Sequence, residues 1–575
     1  MAPPAGSAPG ALPAAQPRKR AQSDLRRPTL RGMPVEPSPF VPASREERWR
    51  ALDERPPQVC VVGGGATGAS VAFDLALRGL DVALFERDDW AAATSSASSR
   101  LLHGGLRYLE HGELGLVRES CLERERLLRN AAGLAWPERF AFPVRRGDRV
   151  GLAKLGAGLA LYGLLSLPRP LGLPRLARAQ TLAGWIPGME RAGLRGGGVY
   201  LDGATDDARL VLAVVQSAQR AGATCLSRAE IRGVEAGSDR AEVLVVDRCS
   251  GEERRLHPRA VVLCGGPFTE ELRARAGLSG SWISPTRGAH VLIPRERLPT
   301  DGAVIFPSAI DGRVMFLLPW PRYTVIGTTD LDADASAPVR ATRAEVRYLL
   351  DSANGLVAGA QLEEADVVST YAGLRPLLAA DVNDPSSRSR EERVLREGPL
   401  WTIAGGKLTG MRSMAEGLCA QLVEALGEGQ SGRRSATRDA RLVGALPTAS
   451  ARPAWSTPAA DPRDPLHIAW ERRYAARAPE VEEYCRRARE GFRALDEQTL
   501  LGEVDWAVRE EDCLGIDDFL MRRTDLGLGE RSTATASIRI VAERMAELLA
   551  WSTGRSSDEQ ANAMRVIEAA HAWSS

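Results

Sequence analysis

The chain carries almost no net charge: 75 Lys and Arg stand against 74 Asp and Glu over 575 residues, leaving +1. No global field therefore draws it to nucleic acid, and only a local basic patch is still allowed. Cysteine pairing is missing too. The eight cysteines (Cys60, Cys121, Cys225, Cys249, Cys264, Cys419, Cys485, Cys513) contain no CxxC spacing, which argues against a zinc site or disulfide scaffold and for a reducing compartment. No stretch reaches the ~20 apolar residues of a membrane-crossing helix. The most apolar one, 152–167, has Lys154 as its only charge. As a helix it would span about 24 Å, short of a ~30 Å hydrocarbon core. It fits a buried helix or an in-plane interfacial anchor, and the residues alone leave both readings open.

What is present is ordinary for a globular protein: 44% hydrophobic and 26% charged residues, enough for a large core in two or three domains. Residues 1–57 hold 12 of the 36 prolines and few large apolar side chains, so they read as a disordered tail. Arg18-Lys19-Arg20 and Arg26-Arg27 raise a targeting peptide, but no apolar run follows and prolines break any amphipathic helix. Val59-Cys60-Val61-Val62, a glycine turn, a helical stretch over 66–78 and Val82-Ala83-Leu84-Phe85-Glu86 form a strand-turn-helix-strand unit. That unit predicts a parallel sheet buried on both faces. Further strands are expected at 241–246, 260–263, 290–293, 314–318, 324–326 and 400–404, the last leading through Gly405-Gly406 into a helix ending near 426. A Gly-, Ser- and Pro-rich linker follows over 427–464. The remaining 465–575 is helical in pattern, clearest at 481–495 and 537–549. The predicted architecture is α/β over 58–426 with a separate C-terminal all-helical domain.

Gly63-x-Gly65-x-x-Gly68 sits between the first strand and the helix, with Glu86 ending the second strand. The glycines allow a tight turn, approach of a pyrophosphate to the backbone, and close helix-strand packing. Amides at the helix N-terminus face the phosphates. Glu86 would accept from ribose hydroxyls, favouring an adenosine without a 2′-phosphate. This motif serves FAD and NAD alike. A hydroxyl-rich stretch with a glycine pair follows: Thr94-Ser95-Ser96-Ala97-Ser98-Ser99-Arg100-Leu101-Leu102-His103-Gly104-Gly105-Leu106-Arg107-Tyr108-Leu109-Glu110-His111. It supplies donors and caps, and its glycines let the backbone approach a flat ligand. Lys407 follows Gly405-Gly406 at a helix start, where a cation opposes the helix dipole and calls for an anionic partner. Arg107 and Arg375 are phosphate candidates, since guanidinium meets a phosphomonoester bidentately; a structural ion pair is the alternative for Arg375. His290, alternating with apolar neighbours, reads by itself as a core histidine. Asp330-x-Asp332-x-Asp334 opens like a calcium loop, but Ala335 and Ala341 stand where Gly and Glu are required, so no metal site is expected.

The 94–111 segment resembles, nearly residue for residue, the signature of the FAD-dependent, quinone-linked respiratory glycerol-3-phosphate dehydrogenases, flavoenzymes of the D-amino-acid-oxidase-like superfamily. Asp206-Asp207-Ala208-Arg209-Leu210, Gly288-Ala289-His290, Ile326-Gly327-Thr328-Thr329-Asp330, Tyr371-Ala372-Gly373-Leu374-Arg375-Pro376-Leu377, Gly405-Gly406-Lys407-Leu408-Thr409 and Arg522-Arg523-Thr524 support the likeness, which runs from about residue 58 to 550. The resemblance implies a Rossmann-like FAD-binding domain interleaved with a mixed-sheet substrate domain, plus a C-terminal cap domain. It implies FAD contacts at Gly63, Gly65, Ala66, Thr67, Gly68, Glu86, Arg87, Thr94, Ser95, Ser99, Arg100, His103, Gly104, Gly105, Leu106, Gly265, Gly406, Lys407, Leu408 and Thr409. Glycerol 3-phosphate would lie against Arg107, Tyr108, Arg375 and His290, with His290 as general base, Arg375 orienting the substrate and Lys407 stabilising the reduced flavin. Hydride would pass from C2 to flavin N5, giving dihydroxyacetone phosphate, and electrons would continue to membrane quinone. That implies a cytoplasmic protein held peripherally at the inner membrane and favours the anchor reading of 152–167. A homodimer is compatible with it. The chain departs from the pattern at Gly410-Met411, where polar and aromatic residues are expected, and in its long N-terminal tail. Two rivals are an oxidase that passes electrons to oxygen and releases hydrogen peroxide, and a flavin-binding, membrane-associated protein without turnover.

Overall fold

The computed structural model describes residues 42–168, 171–379, 392–427, 435–447 and 464–573. The first described element is a helix, α1 (Arg45–Glu54), started by a capping box between Ser44 and Glu47. The tail reading of 1–57 is thus corrected over its last part. Trp49 and Leu52 are buried, Arg45 pairs with Asp247, and Arg48 pairs with Asp512. Proline content hid these four anchors. Residues 1–41, with their arginine clusters, lie outside the described residues.

The strand-turn-helix-strand unit forms as the apolar runs dictate: β1 (Val59–Val62), α2 (Ala66–Leu77) and β2 (Val82–Phe85). Every residue of both strands is buried, because helices and a second sheet cover the two faces. After them come α3 (Leu114–Asn130), β3 (Ala135–Arg145), α4 (Leu152–Leu165), β4 (Leu194–Thr205), α5 (Asp207–Arg220), β5 (Thr224–Leu226), β6 (Ala260–Leu263) and β7 (Thr286–Pro294). The series continues with β8 (Ala303–Pro307), β9 (Val314–Pro319), β10 (Tyr323–Gly327), β11 (Ser369–Arg375), β12 (Glu392–Glu397), β13 (Leu400–Gly405) and α6 (Met411–Ala425). One six-stranded sheet has the order β12-β13-β6-β1-β2-β5, parallel except at the β12 edge. A larger curled sheet runs β7-β10-β9-β8-β3-β4, with β11 on the other side of β7. A three-stranded antiparallel sheet (Ala229–Ala236, Ala241–Asp247, Glu253–Leu256) packs over the first.

The long β3–β4 pair was not legible, because Pro137, Pro143 and Gly196-Gly197-Gly198 look like strand breakers. The glycines instead make room. A Cβ at Gly197 would collide with the Phe142 carbonyl, and one at Gly198 would press on Leu159 of α4. That close approach seats α4 on β4 with Leu155, Leu159 and Tyr162 buried. Its other side leaves Leu164 60% exposed, and Leu173 beyond it is 85% exposed. No helix among the described residues is long and apolar enough to cross a membrane.

The C-terminal region is helical around α7 (Arg531–Leu549) and α8 (Thr553–His571). The helix expected over 481–495 is instead Ala478–Arg487, followed by a two-stranded hairpin, Ala494–Asp496 with Thr499–Leu500. Gly491, where a Cβ would strike the Cys485 carbonyl, lies in the turn between that helix and the hairpin. Of the expected linker, 428–434 and 448–463 lie outside the described residues. Within 435–447, Asn130 of α3 donates to the Thr437 and Arg438 carbonyls and Leu442 is buried. All eight cysteines are free, and all but Cys249 are buried.

Candidate active site

A single cavity of about 1510 Å³ runs from the β1–α2 turn to the strands of the larger sheet. At one end Gly63 has φ +109°, and a side chain there would collide with the Cys264 carbonyl. One at Gly68 would strike the Gly63 carbonyl, so the helix rises directly off the strand. Ala66 N–H at the helix start donates to Ser95 Oγ at 3.0 Å. Glu86 Oε2 accepts from Gly64 N–H at 2.6 Å and Oε1 from Asp88 N–H at 2.8 Å. Burial pushes this carboxyl above its ordinary value, and the two amides pull the other way. Thr94 Oγ1 donates to the Leu374 carbonyl at 2.6 Å, tying the hydroxyl-rich segment to β11.

At the other end β7 carries His290, opposite Gly327 of β10 and Tyr371 of β11. The imidazole stacks on Tyr371 with centroids 4.5 Å apart, and its Nε2 lies 2.9 Å from Ser99 Oγ. A Cβ at Gly327 would run into the ring. Burial first, then the guanidinium groups of Arg375 and Arg100, push the His290 pKa from 6.5 down to about 3, so the ring is neutral at ordinary pH. Arg375 fills the space that a side chain at Gly288 would take. It donates to Asp330 at 2.8 Å, Thr328 Oγ1 at 3.0 Å and the Thr329 carbonyl at 3.1 Å. Lys407 stands where β13 ends, its Nζ 3.9 Å from the centroid of the Tyr108 ring. A 3-10 turn, Leu408–Gly410, separates it from α6.

These features fit FAD. The turn admits no side chain between the strand and the helix start, and the cavity continues past Gly405-Gly406 to Lys407, which suits an anionic isoalloxazine edge. Glycerol-3-phosphate dehydrogenase 2 of Mycobacterium tuberculosis is 34% identical over 552 residues, 92% of this chain and 91% of that protein. The chain belongs to the FAD-dependent glycerol-3-phosphate dehydrogenase family. The family model described as FAD dependent oxidoreductase matches 58–422, and that for the C-terminal domain of alpha-glycerophosphate oxidase matches 435–556. Among curated relatives, the aerobic glycerol-3-phosphate dehydrogenase of Staphylococcus saprophyticus is 34% identical over 379 residues, 64% of this chain and 68% of that one. Among solved structures, the glycerol-3-phosphate dehydrogenase from Bacillus halodurans complexed with FAD superposes with TM-score 0.74 at 25% identity, covering 93% of this chain and 99% of that one.

In this flavoprotein the cavity brings together Gly63, Gly65, Ala66, Thr67, Glu86, Arg87, Thr94, Ser95, Ser99, His103, Gly105, Leu106, Gly265, His290, Arg375, Gly406, Lys407, Leu408 and Thr409. Four expected contacts do not line it. Gly68 is consumed in helix packing, and Gly104 is pressed against Tyr162 and Cys121. Tyr108, only 7% exposed, lies behind Lys407. Arg100, expected at the cofactor, turns away into a cluster of carboxylates. The side chain of Arg107 lies outside the described residues. Glu86, expected on ribose hydroxyls, spends an accepting position on each of two backbone amides. Sequence reasoning gave no role to Tyr371, and took Ser99 for a cofactor contact alone although it also meets His290. Asp330, noted only in a calcium-like motif that was set aside and in a family-like stretch, holds Arg375. Glycines at 288 and 327, two residues from His290 and opposite it, were the available signal.

Proposed function

We propose that the protein oxidises sn-glycerol 3-phosphate to dihydroxyacetone phosphate and passes the electrons to membrane quinone. The observation that carries this reading is a buried, neutral imidazole and a guanidinium on adjacent strands, facing the same cavity that begins at the dinucleotide turn. FAD, when bound, supplies the acceptor for the hydride from C2. His290 takes the C2 hydroxyl proton, and Ser99 fixes the ring orientation that this requires. Arg375, held by Asp330 and Thr328, presents a rigid donor fork to the phosphate. Arg107 is a second phosphate partner, and Lys407 places positive charge where electron density accumulates. The exposed leucines on and beyond α4 favour a peripheral membrane contact close to the quinone pool.

The test is anaerobic addition of glycerol 3-phosphate to the FAD-loaded protein. The flavin's visible absorbance band is expected to bleach; an unchanged spectrum defeats the reading. The C-terminal match to an oxidase family model supports oxygen as a second candidate acceptor. Stoichiometric hydrogen peroxide in place of quinone reduction would select it.

A further inference from the structure

Arg100 is the residue after Ser99, the partner of His290. It adopts φ +56°, a left-handed conformation that a non-glycine residue holds only when its surroundings enforce it. Arg100 is 5% exposed, and its guanidinium lies 3.9 Å over the Trp320 ring. Three carboxylates surround it. Nη1 is 3.0 Å from Asp206, Nε 3.4 Å from Asp207 and Nη2 2.9 Å from Asp525. Asp206 and Asp207 begin α5, but Asp525 belongs to the C-terminal domain, more than 400 residues away in sequence. Arg472, from the same domain, stands 3.7 Å from Asp206 and 3.6 Å from Asp525.

The residues before Arg100 are gripped from the same cluster. Asp207 Oδ2 accepts from Ser98 N–H at 3.0 Å and from Ser98 Oγ at 2.7 Å. Ser98 Oγ in turn accepts from Arg100 N–H at 3.0 Å, and Tyr371 Oη donates to the Ser98 carbonyl at 3.1 Å. Ser99 is therefore a short peptide step between two clamped neighbours, with its hydroxyl on His290 Nε2. The His290–Tyr371 stack closes the ring on its other side. A buried guanidinium with one of three carboxylates removed keeps its charge and recruits what remains, so loss of Asp525 would pull Arg100 toward α5 and carry Ser99 with it.

We propose that Asp525 is a positioning residue for proton transfer: through Arg100 it sets where Ser99 holds His290, which makes the C-terminal domain part of the catalytic apparatus. The proposal rests on the reaction assigned above, but its first test does not need that reaction. A second buried ion pair joins the same two domains away from the cavity: Arg209 meets Glu511 bidentately, both bonds at 2.7 Å. Glu511→Gln thus disturbs the domain interface without touching the Ser98–Arg100 segment.

In FAD-loaded protein labelled with ¹⁵N-histidine, the ring signals of His290 are identified by their loss in His290→Gln. They are expected to shift in Asp525→Asn, to return toward their wild-type positions in Asp525→Glu, and to stay in place in Glu511→Gln. Signals unmoved by Asp525→Asn, or moved equally by Glu511→Gln, overturn the clamp whatever the substrate is. With glycerol 3-phosphate, anaerobic stopped-flow is expected to show the limiting rate of flavin reduction in Asp525→Asn lowered on the order of tenfold. Affinity for dihydroxyacetone phosphate, read from the flavin difference spectrum, should stay within about threefold. A loss of affinity with an unchanged limiting rate also overturns the proposal. If Asp525→Asn does not fold, Arg100→Lys, which keeps the charge but cannot hold Asp206, Asp207 and Asp525 at once, carries the histidine test, and signals unmoved there overturn the route through Arg100. Wild-type protein that glycerol 3-phosphate fails to reduce defeats the substrate assignment alone, and the histidine signals still decide the clamp.

Discussion

The two ends of the cavity are built by opposite means. At the dinucleotide end the shape is set by what is missing: glycines at 63, 65 and 68, and a carboxylate already satisfied by backbone amides. At the far end it is set by side chains that must be held against their own charge or burial, such as Arg375 between Asp330 and Thr328 and the neutral imidazole of His290 between Ser99 and Tyr371. The first end tolerates no added atoms, while the second tolerates no lost partners. Steric demands are local and all-or-none, whereas polar demands are shared among residues far apart in the chain and fail by degrees.

The largest effect is expected from Gly68→Val. Its side chain would fall on the Gly63 carbonyl, so the protein should fold, by circular dichroism, yet bind FAD on the order of a hundredfold or more weakly. A flavin-replete purified variant would break the contrast at its steric end. Next, His290→Gln should keep its flavin while the anaerobic reduction rate falls by about 10² to 10⁴; stopped-flow absorbance measures this, and near-wild-type rates would remove the ring from the chemistry. Arg375→Lys keeps the charge but loses the fork, and should raise KM for glycerol 3-phosphate about tenfold to a hundredfold with a smaller change in kcat. Steady-state kinetics checks the split. The smallest effect is expected of Glu86→Gln, since an amide oxygen can still accept from one of the two backbone N–H groups. FAD affinity, followed by flavin fluorescence, should weaken only about threefold to fivefold.

Legibility in the sequence follows the same division. The strand, turn, helix and acid of the dinucleotide end lie within residues 59–86 and could be read in order because they follow one another in the chain, although the wall behind Gly63 comes from Cys264. The strands at 260–263, 314–318 and 324–326 were also visible, as short apolar runs. The far end was found as separate motifs, but not as an arrangement. That Ser99 meets His290, or that Asp330 belongs to Arg375, depends on the register of β7 against β10 and β11, which no local pattern encodes. The side-chain partners of Arg100 were hidden for the same reason: its neighbours in sequence line the cavity, while its partners are a helix start and a distant domain. The helix α1 was missed because composition averaged over 57 residues obscured ten that pack.

Gly288 and Gly327 each leave a hole that a side chain proposed for the reaction fills, Arg375 in one case and the His290 ring in the other. This constrains the order in which such a protein can change under drift. Neither glycine can acquire a side chain while its occupant remains, but once the arginine or histidine is lost the corresponding hole is free to be filled. A descendant that had abandoned the reaction would therefore record the loss twice, first at the functional position and later at the glycine facing it. Reversing the first change alone would no longer restore the site.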